Sequence, residues 1–210
     1  MVDNFELIKP LLSFDKHGDF YFLQILQRKK DGCNVPNSSD NQRRLVKDYH
    51  ITSTEKLDLL RDEIIASCTE TGARAYIRLN KRNYRTVSMA FAEETLMKAR
   101  TNQEFGNTFN EINSVIGRYP EQGNKTWIVD IDNTNVDSKL VKDIKDIIVN
   151  YCQPFDVEKI VAVIPTKSGV HLITRPFNQE TFYRMFSQLK LSNENEVDIK
   201  KDNPTVLYAP

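Results

Sequence analysis

The chain has 210 residues with 29 basic and 29 acidic side chains, so the overall charge gives no general attraction for nucleic acid. No apolar run approaches the roughly 18 residues of a membrane span, and the N-terminal MVDNFELIKP is too acidic for a signal peptide. The three cysteines, Cys33, Cys68 and Cys152, have no paired spacing, which excludes a CxxC zinc site and favours reduced thiols in a cytoplasmic, intracellular protein.

The pattern of apolar residues over 1–124 predicts an N-terminal module of mixed strands and helices. Its polar segment DGCNVPNSSDNQ is rich in Asn and Ser and contains Gly and Pro, so we expect a mobile loop. The predicted elements are a strand at 19–30, the loop at 31–42, a strand at 43–52, a helix that Ser53 or Thr54 caps and Gly72 ends, a strand at 73–80, and helices at about 86–100 and 104–117.

Residues 125–210 predict a more regular second module, packed with the first as one globular unit. Its predicted elements are the strand KTWIVDID, a helix capped by Asp137, a hairpin of strands at 159–166 and 170–177, a helix that begins at Asn178, and short strands at 196–200 and 205–209. The order β-α-β-β-α-β, with one more strand at the end, predicts an α/β (α+β) protein. Its second half is an RNA-recognition or ferredoxin-like sheet with two helices on one face and the other face free.

The stretch WIVDIDNTN places two aspartates on one face of an apolar strand. Because side chains alternate along a strand, Ile128, Asp130 and Asp132 share a face. Two neighbouring carboxylates repel each other unless a cation lies between them, and Mg²⁺ or Mn²⁺ prefers such oxygen ligands. Two ions held this way can clamp both ends of a phosphoryl displacement. Asp198, in the late strand EVDIK, is the candidate third carboxylate.

The hairpin turn TKSGVH is a candidate phosphate cradle. Lys167 and His171 offer cationic or neutral donors, Ser168 offers a hydroxyl, and the turn offers backbone N–H groups. Gly169 permits a backbone arrangement that other residues would strain.

Together, VDIDNTNVD, the hairpin GVH, a later VD and the closing LYAP resemble the catalytic subunit of archaeo-eukaryotic primases and the wider primase-polymerase superfamily. The resemblance covers roughly residues 125–210. It implies that Asp130, Asp132 and Asp198 are catalytic and bind Mg²⁺ or Mn²⁺. It also implies that His171, Ser168 and Lys167 contact the triphosphate of an incoming nucleotide.

The implied activity is template-dependent nucleotidyl transfer by a DNA primase or primase-polymerase, in which a 3′-hydroxyl attacks the α-phosphate and pyrophosphate leaves. The implied partners are nucleoside triphosphates, a single-stranded template, and a helicase or another replication protein, with no membrane. Arg78 and Arg82, with Tyr76 and Tyr84 interleaved, are candidates for nucleic-acid binding, since cations and stacking aromatic rings together grip single strands.

Two alternatives stay open. DIDNT also fits the Asp-x-Asp-x-Thr motif of haloacid-dehalogenase-like phosphatases, with Asp130 as nucleophile and Asp132 as acid and base. However, that motif normally begins its domain and is followed by parallel βα units. The second alternative is a primase-like fold that binds nucleic acid without catalysis. Lys167 and Ser168 stand where the family often has Gly and Arg, and Tyr208 stands where it often has an arginine.

Overall fold

A computed structural model describes residues 1–29, 43–121, 123, 125–189 and 196–210. In these ranges the protein is a mixed α+β structure with two antiparallel sheets and six α-helices. The predicted mobile loop at 31–42 lies outside the described residues, as does Cys33. None of the helices in these ranges is both long enough and apolar enough to cross a membrane.

The predicted strands and helices occur in the predicted order, and the structure adds short elements at residues 2–3, 5–11 and 82–83 that were not predicted. The strands are β1 (Val2–Asp3), β2 (Asp19–Arg28), β3 (Arg43–Ile51), β4 (Arg74–Arg78), β5 (Arg82–Asn83), β6 (Trp127–Asp132), β7 (Ile160–Pro165), β8 (Gly169–Thr174), β9 (Val197–Lys200) and β10 (Pro204–Ala209). The α-helices are α1 (Phe5–Ile8), α2 (Thr54–Thr71), α3 (Tyr84–Arg100), α4 (Thr108–Arg118), α5 (Lys139–Asn150) and α6 (Gln179–Phe186).

Local capping explains where two of these helices begin and end. Ser53 caps α2 by accepting a hydrogen bond from the third backbone N–H beyond it, and Gly72 ends α2 in the left-handed conformation, with φ of 63°. For α5 the predicted cap, Asp137, is wrong, because the side chain of Ser138 accepts the hydrogen bond from Val141 N–H. Asp137 lies in the preceding turn, where its own N–H donates to the side chain of Asn135.

The second sheet has the strand order β7-β8-β6-β9, and every neighbouring pair is antiparallel. The predicted hairpin of β7 and β8 is confirmed. Helices α5 and α6 pack on one face of this sheet, where alternate strand residues are buried against the apolar stripes of the helices. The main residues of this core are Val129, Ile131, Val170, Leu172, Val141, Ile144, Ile148 and Phe182.

The other face of the second sheet is not free, contrary to the prediction. Ile128, Ile164 and Ile173 pack in one core with residues of the first half, including Phe5 and Ile8. The reason is that this face carries apolar residues as well as aspartates, and burying them requires a second layer. The aspartates therefore lie in a cleft between two layers rather than on an open surface.

The first sheet has the order β1-β10-β4-β2-β3, with β5 paired to β2. Its strand β10 comes from the end of the chain and lies between β1 and β4, although the division by sequence groups its residues with the second half. Consequently the chain passes from the second sheet to the first within three residues, 201–203. Helices α3 and α4 cover Phe20 and Phe22 of β2.

The two cysteines within the described residues, Cys68 and Cys152, are free and buried. Burial raises the pKa of the Cys68 thiol to about 12. The thiol of Cys68 is therefore protonated at neutral pH, which makes it a packing residue rather than a nucleophile.

Gly169 lies at the start of β8, where β8 approaches β6 so closely that only a glycine fits. A Cβ placed there would overlap the carbonyl oxygen of Ile131 and come within 3.0 Å of Asp132 Cα. We expect Gly169→Ala to lower the free energy of unfolding by about 3 kcal/mol, measured by urea denaturation, because β6 and β8 would have to separate.

Gly117→Ala is the matched control. Gly117 lies near the end of α4, and an added Cβ would meet only ordinary contacts, the nearest being Arg78 Nη2 at 3.8 Å. This substitution should raise stability by up to about 1 kcal/mol. Equal stability of the wild type and Gly169→Ala would contradict the close approach.

Candidate active site

A polar cleft of about 150 Å³ lies between the two sheets. One wall belongs to the second sheet and its turn, and carries the candidate catalytic groups Asp130, Asp132, Thr166, Ser168, His171 and Lys200. The other wall belongs to the first sheet and carries Arg28, Arg43, Arg74 and Tyr76. Four of the eight predicted site residues, Asp130, Asp132, Ser168 and His171, thus meet in one place.

Asp130 is the centre of the cleft's hydrogen-bond network. On β6 it lies directly across from His171 of β8 on one side and Asp198 of β9 on the other. Its Oδ1 is 3.2 Å from His171 Nε2, and its Oδ2 accepts a hydrogen bond of 2.6 Å from Lys200 Nζ. The Asp130 side chain is only 18% exposed, so both contacts are shielded from water.

Thr205 holds the ring of His171 in place. Its Oγ1 lies 2.8 Å from His171 Nδ1, and Thr205 is fully buried on β10. When Nε2 carries the ring proton, Nδ1 accepts the hydrogen bond from Thr205 and Nε2 donates to Asp130. The first sheet therefore orients a side chain of the second.

Asp130 is ionised over the whole physiological range. Burial alone would raise its pKa, but the hydrogen bonds and charges of His171 and Lys200 outweigh burial and hold the pKa well below its usual range. A carboxylate that stays negative in a shielded cleft is suited to holding a cation.

The sequence predicts a metal ion as the positive charge between the carboxylates. In the structure, the ammonium group of Lys200 supplies a positive charge in this position. Its Nζ bonds Asp130 and lies 3.9 Å from Asp198 Oδ2, while the Asp198 side chain is 59% exposed. Among the described residues, no three acidic, histidine or cysteine side chains are arranged to hold a metal ion. Asp130 and Asp198 are direct register partners on β6 and β9 and carry the carboxylate oxygens that Mg²⁺ or Mn²⁺ prefers, while Lys200 occupies the position beside Asp130.

The predicted phosphate cradle is only partly within the cleft. Ser168 lines the cleft, and its carbonyl accepts a 2.8 Å hydrogen bond from Asn133 N–H, which fixes the turn against the end of β6. Lys167 is exposed and is not part of the cleft's lining.

Arg82 was predicted to contact nucleic acid, but in the structure it supports the fold. Its side chain is fully buried, bonds Asp202 Oδ2 at 2.6 Å and donates to the carbonyl of Ile116 at 2.8 Å. Arg78 is mostly buried, 3.7 Å from Asp202 Oδ2, and donates to the Asp202 carbonyl. Because both guanidinium groups are committed to Asp202, neither is presented to a nucleic-acid strand.

Sequence reasoning missed five residues of the cleft and its support: Lys200, Thr205, Arg28, Arg43 and, as part of this site, Arg74. One signal was available for Lys200, since it follows Asp198 by two residues in a strand and must share its face. The arginines could not be found this way, because their position depends on how the two sheets pack.

Comparison of the chain with protein-family models, with curated proteins and with solved structures found no match.

The Lys200–Asp130 pair makes a pH-dependent contribution to stability. We expect Lys200→Met to lower the free energy of unfolding by about 1–2 kcal/mol at neutral pH, since it removes a shielded, charge-assisted hydrogen bond. The folded pKa of Asp130 lies below the usual 3.8, so the contribution is fully present above that value. It is lost as the pH falls through the lowered pKa.

Urea denaturation of both proteins at neutral pH and in the acid range tests this. The difference between the wild type and Lys200→Met should shrink as the pH falls below 3.8. Lys167→Met, an exposed lysine of the same sheet, is the control and should leave stability unchanged. A difference that does not vary with pH would show that Lys200 acts through packing alone.

Proposed function

We propose that this protein is a metal-dependent nucleotidyltransferase of the primase-polymerase type, acting on nucleoside triphosphates and a single-stranded template. The observation that carries the proposal is the flanking of Asp130 by Asp198 on one neighbouring strand and His171 on the other. Asp132 lines the same cleft. These are the residues that the sequence resemblance assigns to metal binding and to the triphosphate.

The strand order of the second sheet supports the same proposal. The order β7-β8-β6-β9, with α5 after its first strand and α6 after its third, is the arrangement expected of a ferredoxin-like or RNA-recognition-like sheet. We assign the sheet to that topology as part of the proposal, since a fold alone does not prove an activity.

Each residue has a distinct role in the proposed reaction. Asp130, Asp132 and Asp198 would hold Mg²⁺ or Mn²⁺, which, when bound, supplies charge neutralisation at the phosphates and makes the attacking hydroxyl more acidic. His171, oriented by Thr205, would donate a hydrogen bond from Nε2 to a phosphate oxygen once Asp130 is engaged elsewhere.

The bonding changes balance within the nucleotide and the primer. The oxygen of a 3′-hydroxyl forms a bond to the α-phosphorus, and the bond from that phosphorus to the bridging oxygen of pyrophosphate breaks. The hydroxyl proton passes to solvent or to a carboxylate, and pyrophosphate carries away the negative charge. The protein contributes positioning and electrostatic stabilisation rather than a covalent intermediate.

The phosphatase alternative is less well supported. A haloacid-dehalogenase-like site needs a carboxylate free to attack phosphorus, at the end of a parallel strand. Here Asp130 is bonded by both His171 and Lys200 in an antiparallel sheet. An assay of nucleotide incorporation distinguishes the proposed enzyme from a protein that binds nucleic acid without catalysis.

Loss of Asp130 should abolish nucleotide incorporation. With a primed single-stranded template, labelled nucleoside triphosphates and Mn²⁺ or Mg²⁺, we expect Asp130→Asn to lower the rate at least about a hundredfold. Outer-shell partners of metal ligands alone are worth 10- to 100-fold. Asp137→Asn, an exposed aspartate in the loop beyond the same strand, is the matched control and should retain the wild-type rate.

The outcomes of this assay separate the three functions. Template-dependent extension that Asp130→Asn loses supports the proposal. Phosphate release from a phosphate monoester without extension would indicate a phosphatase. If neither reaction occurs while the template is bound, the protein is a binding module on a primase-like fold.

Lys200 should compete with the metal ion for Asp130. We expect Lys200→Met to bind Mn²⁺ about fivefold more tightly than the wild type, because about 1 kcal/mol of ion pairing no longer has to be broken. Electron paramagnetic resonance of free Mn²⁺ measures this without any turnover.

Lys201→Met serves as the control for this titration, since the Lys201 ammonium lies 5.4 Å from the centre of the Trp127 ring. Its affinity for Mn²⁺ should equal that of the wild type. Asp130→Asn should weaken binding in either background. Unchanged affinity in Lys200→Met would mean that Lys200 and the metal ion do not share a site.

A further inference from the structure

Two arginines face each other across neighbouring strands at the edge of the cleft. Arg28, the last residue of β2, is the direct register partner of Arg43, the first residue of β3. Residues directly opposite in an antiparallel pair lie on the same face of the sheet. Both line the cleft that holds Asp130 and His171.

This pairing is unfavourable on its own. Like charges directly opposite each other in a sheet destabilise it. Within the ranges that the structure describes, neither Arg28 nor Arg43 forms an ion pair with a carboxylate. Arg28 donates a hydrogen bond to the neutral hydroxyl of Tyr76, at 3.0 Å.

The positive field extends to the neighbouring residues of the first sheet. Arg74, on β4, lines the same cleft and is 8% exposed. Burial, and to a smaller degree the charges of Arg82 and Arg43, lower the pKa of Arg78 despite the nearby Asp202. Arg28, Arg43 and Arg74 together give this wall of the cleft a concentration of guanidinium groups that attracts an anion.

The size and the chemistry of the cleft define that anion. Pockets that hold a whole drug-sized ligand are about 300–1,000 Å³, whereas this cleft is about 150 Å³. It therefore fits a short chain of charged groups, with a base and sugar left outside. The planar guanidinium fork of arginine matches phosphate oxygens in pairs, and Ser168 and Thr166 line the same cleft.

We propose that Arg28 and Arg43, together with Arg74, bind the polyphosphate tail of a nucleotide. The tail would lie between this arginine wall and the His171 wall of the second sheet. Binding it relieves the repulsion between Arg28 and Arg43, so the ligand stabilises the end of the β2–β3 hairpin. The assignment of the tail to a nucleoside triphosphate rests on the proposed function, whereas polyphosphate binding itself does not.

Isothermal titration calorimetry with tripolyphosphate in EDTA tests the site without metal ions or turnover. We expect Arg28→Gln and Arg43→Gln each to weaken binding about tenfold, the equivalent of one charge-assisted hydrogen-bonded contact. Arg44→Gln is the matched control, because Arg44 is exposed on the same strand, next to Arg43, and points to the other face. Its affinity should equal that of the wild type.

Thermal unfolding gives a second readout. At low salt and without ligand, Arg43→Gln should raise the melting temperature, since it removes the like-charge pair, and high salt should abolish the gain. Tripolyphosphate should raise the melting temperature of the wild type and not that of the double variant. Binding that Arg28→Gln and Arg43→Gln leave within twofold of the wild type would overturn the proposal, as would equal loss in Arg44→Gln.

A further arm distinguishes a nucleotide tail from a nucleic-acid backbone. A single-stranded oligonucleotide without a 5′-phosphate is titrated into the same variants. If the arginine variants lose the oligonucleotide and retain tripolyphosphate, the site reads a backbone and the proposal fails. If they lose tripolyphosphate but the wild type shows no extension, the polyphosphate site stands and the proposed enzyme does not. If both arginine variants still extend the primer and still bind tripolyphosphate, the proposed enzyme stands and the polyphosphate site does not.

Discussion

The turn between β9 and β10 is the constraint on which the arrangement of the two sheets depends. In three residues the chain leaves the second sheet at Lys200 and enters the first at Pro204. Asp202, within the turn, is paired with the fully buried guanidinium of Arg82. Because an unpaired buried charge is strongly unfavourable, this ion pair holds the turn in one position. The relative placement of the sheets follows from that position.

The chemistry of the cleft is a consequence of this turn. Lys200 stands just before it and bonds Asp130, and Thr205 stands just after it and bonds His171. Thus β9 of the second sheet fixes Asp130 on β6, and β10 of the first sheet fixes His171 on β8. The hydrogen bonds and charges of His171 and Lys200 together hold the pKa of Asp130 low, so its carboxylate stays ionised in the cleft. A shift of the turn would change both contacts together.

Local patterns predicted the elements, and the order of elements predicted which candidate residues share a face. The order of the elements predicted that Asp130, Asp198 and His171 lie on strands of one sheet, but their direct opposition depends on the register of β6 with β8 and with β9, which the sequence did not specify. The same reasoning left one face of the sheet uncovered, because alternation shows that Ile128 has to be buried and does not show what covers it. The pairing of β10 with β4 could not be predicted either, because the paired residues Tyr76 and Val206 are far apart in the sequence.

The arginines show why sequence alone could not assign the charged residues. Arg82 and Arg28 are both charged residues at the ends or edges of strands, and both patterns suggest exposure. Arg82 is internal because Asp202, 120 residues away, meets it in the core. Arg28 faces another arginine, Arg43, and forms no ion pair with a carboxylate in the part of the chain that the structure describes. Whether an arginine supports the fold or binds an anion is decided by what the distant chain places opposite it, and a carboxylate in that position ends its use as a binding group.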